Sequence, residues 1–171
     1  LTGLLPDIST DPAIETATDS IEAGRSGTIV APVGIRPPLL AAVATRAATP
    51  LVVLTATGRD AETLTNALAS WIPGVAMLPA WETLPHERLS PQVDTMARRI
   101  AVLRRLVHPV AGDESAGPIS VLVVPIRAFL QPIISGLADL EPVRVRTGDI
   151  LDLTDVTNRL AELGYERVDM V

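Results

Sequence analysis

Short, continuous apolar runs separated by segments of helical length constrain the fold of this chain more than any other feature. Leu51–Thr55 is such a run, bounded by Pro50 and Gly58, and Ile119–Val124 is a second one. Uninterrupted runs of this length are typical of strands that are buried on both faces, as in parallel sheets covered by helices. The sequence therefore predicts an α/β fold, a three-layer arrangement around a mainly parallel sheet.

Further elements are predicted from periodicity and from helix-capping residues. Strands are expected at Thr28–Ala31 and Val75–Leu78, and Thr57 is expected to cap the helix that follows it. Helices are predicted over 12–24, 39–46, 58–71, 92–107 and from residue 125. For the helix over 92–107, the predicted buried face comprises Val93, Met96, Ala97, Ile100, Leu103 and Val107.

The pattern changes near residue 138. A strand (Pro142–Arg146), a helix beginning near Leu153 and a strand (Tyr165–Val171) are predicted there. We therefore expect residues 1–137 to form the main α/β subdomain and residues 138–171 a small α/β appendage. Because the chain starts at Leu1 and ends directly after an apolar segment, we expect it to be a fragment whose second subdomain is truncated.

Composition excludes several classes of site and partner. The chain has no cysteine, so neither a disulfide framework nor a thiolate metal site is available, which suits a reducing cytoplasm. All 14 basic residues are arginine, and the net charge of −6 disfavours general affinity for DNA or anionic membranes. The longest uncharged run, Thr63–Trp81, contains Pro73, Gly74 and Pro79, which is inconsistent with a membrane span.

The predicted first strand leads into a turn where a phosphate-binding loop would be expected. Such a loop needs several glycines, a lysine for the phosphates and a serine or threonine for magnesium. Only Gly34 remains of the glycines, while Pro37 and Pro38 occupy the positions of the lysine and the hydroxyl. Proline also lacks the N–H group that would hold phosphate. Arg36 is the only nearby cation, either as a substitute ligand or as a solvated loop residue.

The second requirement for nucleotide hydrolysis is also missing. The magnesium-holding carboxylate normally ends a buried strand, but here the apolar run continues into Pro125 and Ile126. Gly24 and Gly27 have no partner glycines at the spacing of a dinucleotide fingerprint. We therefore predict that this chain is not an enzyme and holds no cofactor or metal.

Three other features each allow a functional and a structural interpretation. His86 and His108 lack the helical spacing of a metal pair, so both are expected to be surface or supporting residues. Trp81 is either an interaction anchor or a side chain that closes the end of the sheet. The arginines of the 92–107 helix could contact phosphate or an acidic partner, or form a solvated face paired with local carboxylates; these are Arg98, Arg99, Arg104 and Arg105.

The segment WETLPHERLSPQVDT, residues 81–95, resembles the N-terminal module of bacterial transcription-repair coupling factors (Mfd). PLVVLTATGRDAETL (50–64), SVLVVPIRAFLQPI (120–133) and LGYERVDMV (163–171) follow the same family order, so the resemblance covers about residues 27–171. The motif residues are Trp81, Glu82, Thr83, Leu84, Pro85, Ser90, Pro91 and Asp94.

The resemblance implies a UvrB-like module with a helicase-like, degenerate phosphate-loop NTPase fold that has lost ATPase activity. It implies that the second subdomain binds the damage-recognition ATPase UvrA, while RNA polymerase and DNA are contacted by downstream domains of an ATP-dependent translocase. The DNA-probing aromatic hairpin of UvrB is missing from residues 79–95, where Trp81 is the only aromatic residue. The resemblance also places the principal UvrA contacts beyond Val171.

We therefore expect this chain to be a non-catalytic docking module that recruits UvrA to RNA polymerase stalled at DNA damage. Arg144, Arg146 and Arg167 flank the apolar runs of the appendage and are expected to meet an acidic partner surface. One alternative is an intramolecular brace, in which the module packs on other domains of its own protein and restrains the motor. Another is a nucleotide-binding enzyme domain that uses Arg36 in an atypical loop.

Overall fold

The structure is a computed structural model that describes residues 1–83, 92–143, 145, 147–162 and 165. The chain divides into two compact units, Leu1–Ala138 and Asp139–Val171. In the described residues, the strands are β1 (Leu51–Thr55), β2 (Val75–Met77) and β3 (Val121–Pro125). The α-helices are α1 (Leu5–Ser9), α2 (Pro12–Glu22), α3 (Arg36–Arg46), α4 (Gly58–Ala69), α5 (Val93–Val107), α6 (Ile126–Leu130) and α7 (Leu153–Glu162). Short 3₁₀ turns occur at Thr2–Leu4, Val33–Ile35 and Leu137–Asp139.

The three strands form a parallel sheet in the order β1-β3-β2. Leu51 of β1 and Val75 of β2 both stand opposite Val121 of β3. As the central strand, β3 is buried along its whole length, which is the environment that its uninterrupted apolar sequence predicted. The predicted α/β class and parallel sheet are confirmed.

The sheet is covered by helices on both faces, and the apolar cluster on one face is larger than the cluster on the other. One face packs Val121 and Val123 against residues from α1 to α4, including Leu39 and Leu68. The opposite face packs Leu122 and Val124 with Val102 of α5 and Ala128 of α6, among others. Alternate residues of β3 thus contribute to two separate apolar clusters, as the two-residue period of a strand requires.

Helix α4 begins where its capping residue predicts. Thr57 has an extended backbone, and its hydroxyl oxygen accepts a hydrogen bond from the Asp60 amide at 3.1 Å. The same hydroxyl donates to a carboxylate oxygen of Asp60 at 2.7 Å. The first turn of α4 is thereby satisfied by local groups.

The connection between α4 and β2 depends on Gly74. Its φ of +74° lies in the left-handed region, and its carbonyl accepts from the Ser120 amide at 2.8 Å. A Cβ atom built there would lie 2.8 Å from the Ser120 hydroxyl oxygen and 2.9 Å from the Pro118 carbonyl oxygen. Glycine is therefore required both by the backbone angle and by the close approach of the chain that leads into β3.

The unit Asp139–Val171 contains helix α7, which begins after Asp152. The carboxylate of Asp152 accepts from the amides of Thr154 at 2.7 Å and Asp155 at 3.3 Å, and these bonds lower its pKa. Residues 142, 143 and 145 are not in a strand, so the described part of the strand predicted over 142–146 is not formed. The strand predicted over 165–171 lies outside the described residues, apart from Tyr165.

The strand predicted at Thr28–Ala31 is wrong. These residues have no regular secondary structure, Ile29 is half exposed and Val30 is 95% exposed. β-branched residues favour a strand only where a neighbouring strand supplies hydrogen bonds and packing, and no strand within the described residues pairs with Thr28–Ala31. Across the described ranges, no helix is long and apolar enough to span a membrane.

Candidate functional site

A cleft of about 530 Å³ lies at the carboxyl edge of the sheet. Its walls include Ala56 and Thr57 after β1, Pro79 after β2 and Pro125 at the end of β3. Ligand sites in open parallel α/β sheets are found at this edge, because the loops that follow the strands converge there. The cleft is therefore the candidate site of the unit Leu1–Ala138.

Five charged side chains line the cleft. Three are acidic and two are basic: Glu62, Glu82, Asp94, Arg98 and Arg127. Arg98 and Asp94 stand one helical turn apart on α5, with 3.8 Å between nitrogen and oxygen. Arg127 donates to the Glu82 carbonyl oxygen at 3.1 Å. Both cations thus already have contacts within the cleft.

Glu82 is held in place by the first turn of α5. The Thr95 hydroxyl donates to a carboxylate oxygen of Glu82, and this hydrogen bond is the main cause of a lowered Glu82 pKa. The Glu82 side chain is therefore ionised at neutral pH and adds negative charge to the cleft. The bond also links the residue after Trp81 to the start of α5.

Trp81 is held by Arg99 of α5 and by Gln131, which directly follows α6. Its amide donates to the Gln131 side-chain oxygen at 2.8 Å, and its carbonyl accepts from the Gln131 nitrogen at 3.3 Å. The guanidinium carbon of Arg99 lies 4.4 Å from the centroid of its ring. These contacts hold Trp81 within its own unit, which favours the predicted structural role over that of an interaction anchor.

Arg99 is the largest fully buried side chain among the described residues. Its Nη1 donates to the carbonyl oxygen of Pro79, two residues after β2, while its Nε has no hydrogen-bond partner within the described residues. Burial lowers the Arg99 pKa, because desolvation disfavours the charged form. The predicted face of four arginines is therefore wrong, since Arg99 points into the protein.

The remaining three arginines of that helix have different surroundings. Arg98 is half exposed beside Asp94, and Arg105 donates through Nε to the Gly117 carbonyl oxygen at 2.8 Å. Arg104 is half-buried and takes part in contacts of its own. The solvated-face interpretation thus fits Arg98, whereas Arg105 supports the loop that leads into β3.

The buried face of α5 also differs from the predicted one. The buried residues are Thr95, Arg99, Val102 and Leu103, whereas the predicted Val93, Met96 and Val107 are exposed. Only Leu103 belongs to both sets. The buried residues follow Thr95 by four, seven and eight positions, which is the spacing of one helix face. This signal was obscured because two of the four residues, Thr95 and Arg99, are polar.

The segment around Gly34 that was predicted to be a degenerate phosphate loop does not line the cleft. Residues Val33–Ile35 form a 3₁₀ turn, and Pro37 and Pro38 lie in the first turn of α3. Gly34 has no atoms within 4 Å of a Cβ built on it, so nothing in its surroundings requires glycine. Arg36, the one cation of this loop, is exposed.

The charge arrangement limits the chemistry of the cleft. Three carboxylates line the cleft, and its two arginines already contact Asp94 and the Glu82 carbonyl oxygen, which disfavours binding of a nucleotide phosphate. At the N-terminus of α4, the Asp60 amide already donates to the Thr57 hydroxyl. Within the part of the chain that the structure describes, no group of three or more histidine or acidic residues could hold a metal ion.

Several residues predicted to be functional lie outside the described ranges. These are Leu84, Pro85, Ser90 and Pro91 of the motif, the histidine His86, and the predicted partner contacts Arg144, Arg146 and Arg167. Of the described motif residues, Glu82 and Asp94 line the cleft and Trp81 packs on Arg99. Thr83 follows them and is half-buried, and His108 ends α5.

Comparison with known proteins gives a consistent set of relatives. The chain is 47% identical over 146 residues to the transcription-repair-coupling factor of Mycobacterium bovis, and equally to that of Mycobacterium tuberculosis. It is 27% identical over 135 residues to the transcription-repair-coupling factor of Escherichia coli. The first match covers 84% of this chain but 12% of the relative, so the chain spans about an eighth of the proteins it matches. No family model matches the chain.

Proposed function

The chain is a homologue of the N-terminal region of transcription-repair-coupling factors, and on this premise we propose that it is a non-catalytic docking module in transcription-coupled repair. Its role is to recruit UvrA, and with it the excision-repair machinery, to RNA polymerase stalled at DNA damage. The observation that carries the proposal is the 47% identity to such a factor over 84% of this chain.

The lack of catalysis is supported by the nucleotide-binding positions of the sequence and by the cleft. Pro37 and Pro38 remove N–H groups at the start of α3, and the chain has no lysine. The ionised Glu82 occupies the sheet edge where phosphate would approach. The helicase-like, phosphate-loop NTPase fold is proposed from the sequence resemblance alone, and these features support the proposal that the module lacks nucleotide chemistry.

The partner contact is proposed on the second unit. Arg144, Arg146 and Arg167 are three of its four arginines, and their charge would complement an acidic patch on UvrA. Arg159, the fourth, is exposed on α7 and provides a matched control, because it carries the same charge on the same unit. The other proposed partners are further domains of the parent protein, which would supply contact with RNA polymerase and DNA.

Calorimetric titration with purified UvrA tests the proposal. We expect binding by the chain, or by a longer version that continues past Val171. Replacing Arg144, Arg146 and Arg167 by glutamate should weaken binding at least about tenfold, whereas Arg159→Glu should change it little. If neither version binds while both remain folded, the docking function is wrong. Binding that is insensitive to the triple replacement would contradict the proposed contact residues.

Exposed apolar side chains favour a second candidate function, the intramolecular brace. Phe129 and Leu130 at the end of α6 are 57% and 74% exposed, and Ile134 is 79% exposed. Such residues would be covered if the module packed on other domains of the parent protein. Deleting residues 1–171 from that protein should then raise its ATPase or translocation activity, and unchanged activity would count against this candidate.

The rival enzyme function rests on Arg36 alone. It requires measurable binding of a fluorescent ATP analogue in the presence of magnesium. We expect no binding at high micromolar concentrations, because the cleft presents carboxylates and Arg36 does not line it. Saturable binding that Arg36→Ala abolishes would restore the enzyme interpretation.

A further inference from the structure

Two carboxylates of the cleft at the carboxyl edge of the sheet are little used by the fold itself. Glu62 is exposed on α4, and its side chain forms no hydrogen bond or ion pair within the described residues. Asp94 contacts Arg98 at 3.8 Å, and these side chains are 79% and 52% exposed, respectively. An ion pair that is long and exposed contributes little to stability, because water competes for both groups. Both carboxylates are therefore available to a further partner.

The third carboxylate of the cleft, Glu82, is held in a fixed orientation. The buried Thr95 hydroxyl donates to it, and the Gln92 backbone adds a further hydrogen bond. Arg127 donates to the Glu82 carbonyl oxygen at 3.1 Å and so does not occupy the carboxylate. A carboxylate accepts several hydrogen bonds through its two oxygens. Glu82 can therefore accept from a ligand without losing the contacts that orient it.

The carboxylates of the cleft are spread out, which is unsuitable for a metal ion. Within the described part of the chain, no group of three or more histidine or acidic residues could hold such an ion. The ligands of a hard cation must all lie about 2–2.6 Å from a single point. Separate carboxylates instead suit a cation whose donors are themselves spread out. The arginine side chain has this property, since its N–H donors form a planar fork, whereas an ammonium group is a compact charge.

The same unit contains an arginine that binds two carboxylates in this way. Arg46 of α3 donates to Asp19 and to Glu22 of α2, with 2.7 Å between nitrogen and oxygen in both contacts. One guanidinium group thus joins two acidic side chains that lie one helical turn apart. In the cleft, three carboxylates face only two guanidinium groups, and only one of these, Arg98, forms an ion pair there. The cleft therefore lacks the cation that the α2–α3 contact has.

The size and walls of the cleft favour a side chain over a small free cation. Its volume of about 530 Å³ falls within the range of roughly 300–1,000 Å³ that is usual for ligand pockets. Apolar walls accompany the charges; they are Ala56, Met77, Pro79, Ala80 and Pro125. The methylene stem of an arginine packs on such surface while its guanidinium group reaches the carboxylates. A cation without a stem would gain only exposed ion pairs, which contribute little.

We propose that the cleft is a docking site for an arginine side chain presented by a segment of a partner protein. Glu62 and Asp94 would accept from its guanidinium group, with Glu82 as the oriented third acceptor. Arg98, released from its loose contact with Asp94, would then be available to a carbonyl or carboxylate group of the same segment. This site lies in the unit Leu1–Ala138 and is additional to the contact proposed for UvrA on the second unit.

NMR titration of the whole chain with a capped alanine-arginine-alanine tripeptide tests the site, because it detects weak binding residue by residue. We expect saturable shifts of the Gly58 and Thr95 amides, which belong to residues that line the cleft. The same peptide with lysine, or with citrulline as the uncharged analogue of arginine, should bind at least about fivefold more weakly. Shifts that are absent, or that are equal for the arginine and citrulline peptides, would overturn the proposal.

Neutral variants of the carboxylates identify the contacts. Glu62→Gln and Asp94→Asn keep the size of the side chain but remove its charge, and each should weaken binding of the arginine peptide about threefold or more. Glu114→Gln is the matched control, since Glu114 is exposed in a turn after α5 and does not line the cleft. It makes the same change in net charge and should leave the affinity unaltered. Equal weakening by all three variants would mean general attraction to an acidic chain and would contradict the site.

The remaining outcomes identify other ligands and contradict the proposal. Binding of methylguanidinium as tight as that of the tripeptide would assign the cleft to a small cation. Tighter binding of an alanine-glutamate-alanine peptide would assign it to an acidic segment held by Arg98 and Arg127. The replacement of Arg144, Arg146 and Arg167 by glutamate leaves the lining of the cleft unchanged. The tripeptide and UvrA titrations can therefore fail separately.

Discussion

The guanidinium group of Arg99 stacks on the indole ring of Trp81, with 4.4 Å between the guanidinium carbon and the ring centroid. The same guanidinium donates to the carbonyl oxygen of Pro79, so it binds both ends of the short segment that leaves β2. A planar cation can satisfy an aromatic face and a carbonyl oxygen at once. Arg99 therefore fixes the chain at Trp81, the first residue of the segment predicted to carry the family resemblance.

Arg99→Ala should lower the free energy of unfolding by about 2 kcal/mol, since it removes a buried hydrogen bond and the stacking on Trp81. Arg99→Lys should be destabilising as well, because an ammonium group lacks the planar fork that makes both contacts. Urea denaturation measures both values. Arg98→Ala is the control, and its exposed side chain should change stability by less than about 0.5 kcal/mol. Equal effects of the Arg98 and Arg99 substitutions would contradict this role.

Gly74→Ala should be the most destabilising of three glycine substitutions, by roughly 2 kcal/mol or more, because it combines a positive φ with a steric clash. Gly24→Ala shares the positive φ, +66°, but meets no atom within 4 Å, so it should cost about 1 kcal/mol. Gly34→Ala has neither feature and should be close to neutral. Thermal unfolding of the three variants should follow this order, and a different order would show that the turn before β2 can relax.

The Glu82 carboxylate should titrate below the usual range of a glutamate, because the Thr95 hydroxyl donates to its ionised form. A pKa that is lower in the folded state means that Glu82 contributes stability above its unfolded pKa. That contribution is lost as the pH falls through the folded pKa. NMR titration of the Glu82 carboxyl carbon should show a higher pKa in Thr95→Val. An unchanged value would mean that Thr95 is not the principal cause.

Thr57→Ala should lower the free energy of unfolding by about 1 kcal/mol, since it removes the hydroxyl that caps α4. Thr63→Ala is the matched control on the same helix, where the hydroxyl only bonds back to the Arg59 carbonyl at 2.9 Å. It should be neutral or slightly stabilising because alanine has the higher helix propensity. Denaturant midpoints of the two variants measure the difference in stability between them. Equal midpoints would mean that water replaces the Thr57 hydroxyl without loss of stability.

Much of the fold could be predicted because its signals are local. The apolar runs of β1 and β3 and the capping Thr57 act within a few residues, and the structure confirms both strands and the cap. The burial predicted for both faces of β1 is wrong, because Val52 and Leu54 are about half exposed. The candidate site was harder to predict from the sequence, because the cleft is lined by side chains that are distant in sequence, such as Arg127 after β3 and Asp94 on α5. Arg99 was missed because an arginine is expected in solvent unless an aromatic face and a carbonyl are known to be near it.

The sequence by itself determined the fold class, the positions of the three described strands and the absence of any lysine for a phosphate-binding loop. These properties follow from residue type and spacing, which determine burial period, helix starts and available ligands. Tertiary structure decided which face of α5 is buried and whether Thr28–Ala31 has a strand partner. Both depend on groups distant in sequence, since a polar residue is buried only where partners compensate its desolvation and a strand forms only beside another strand.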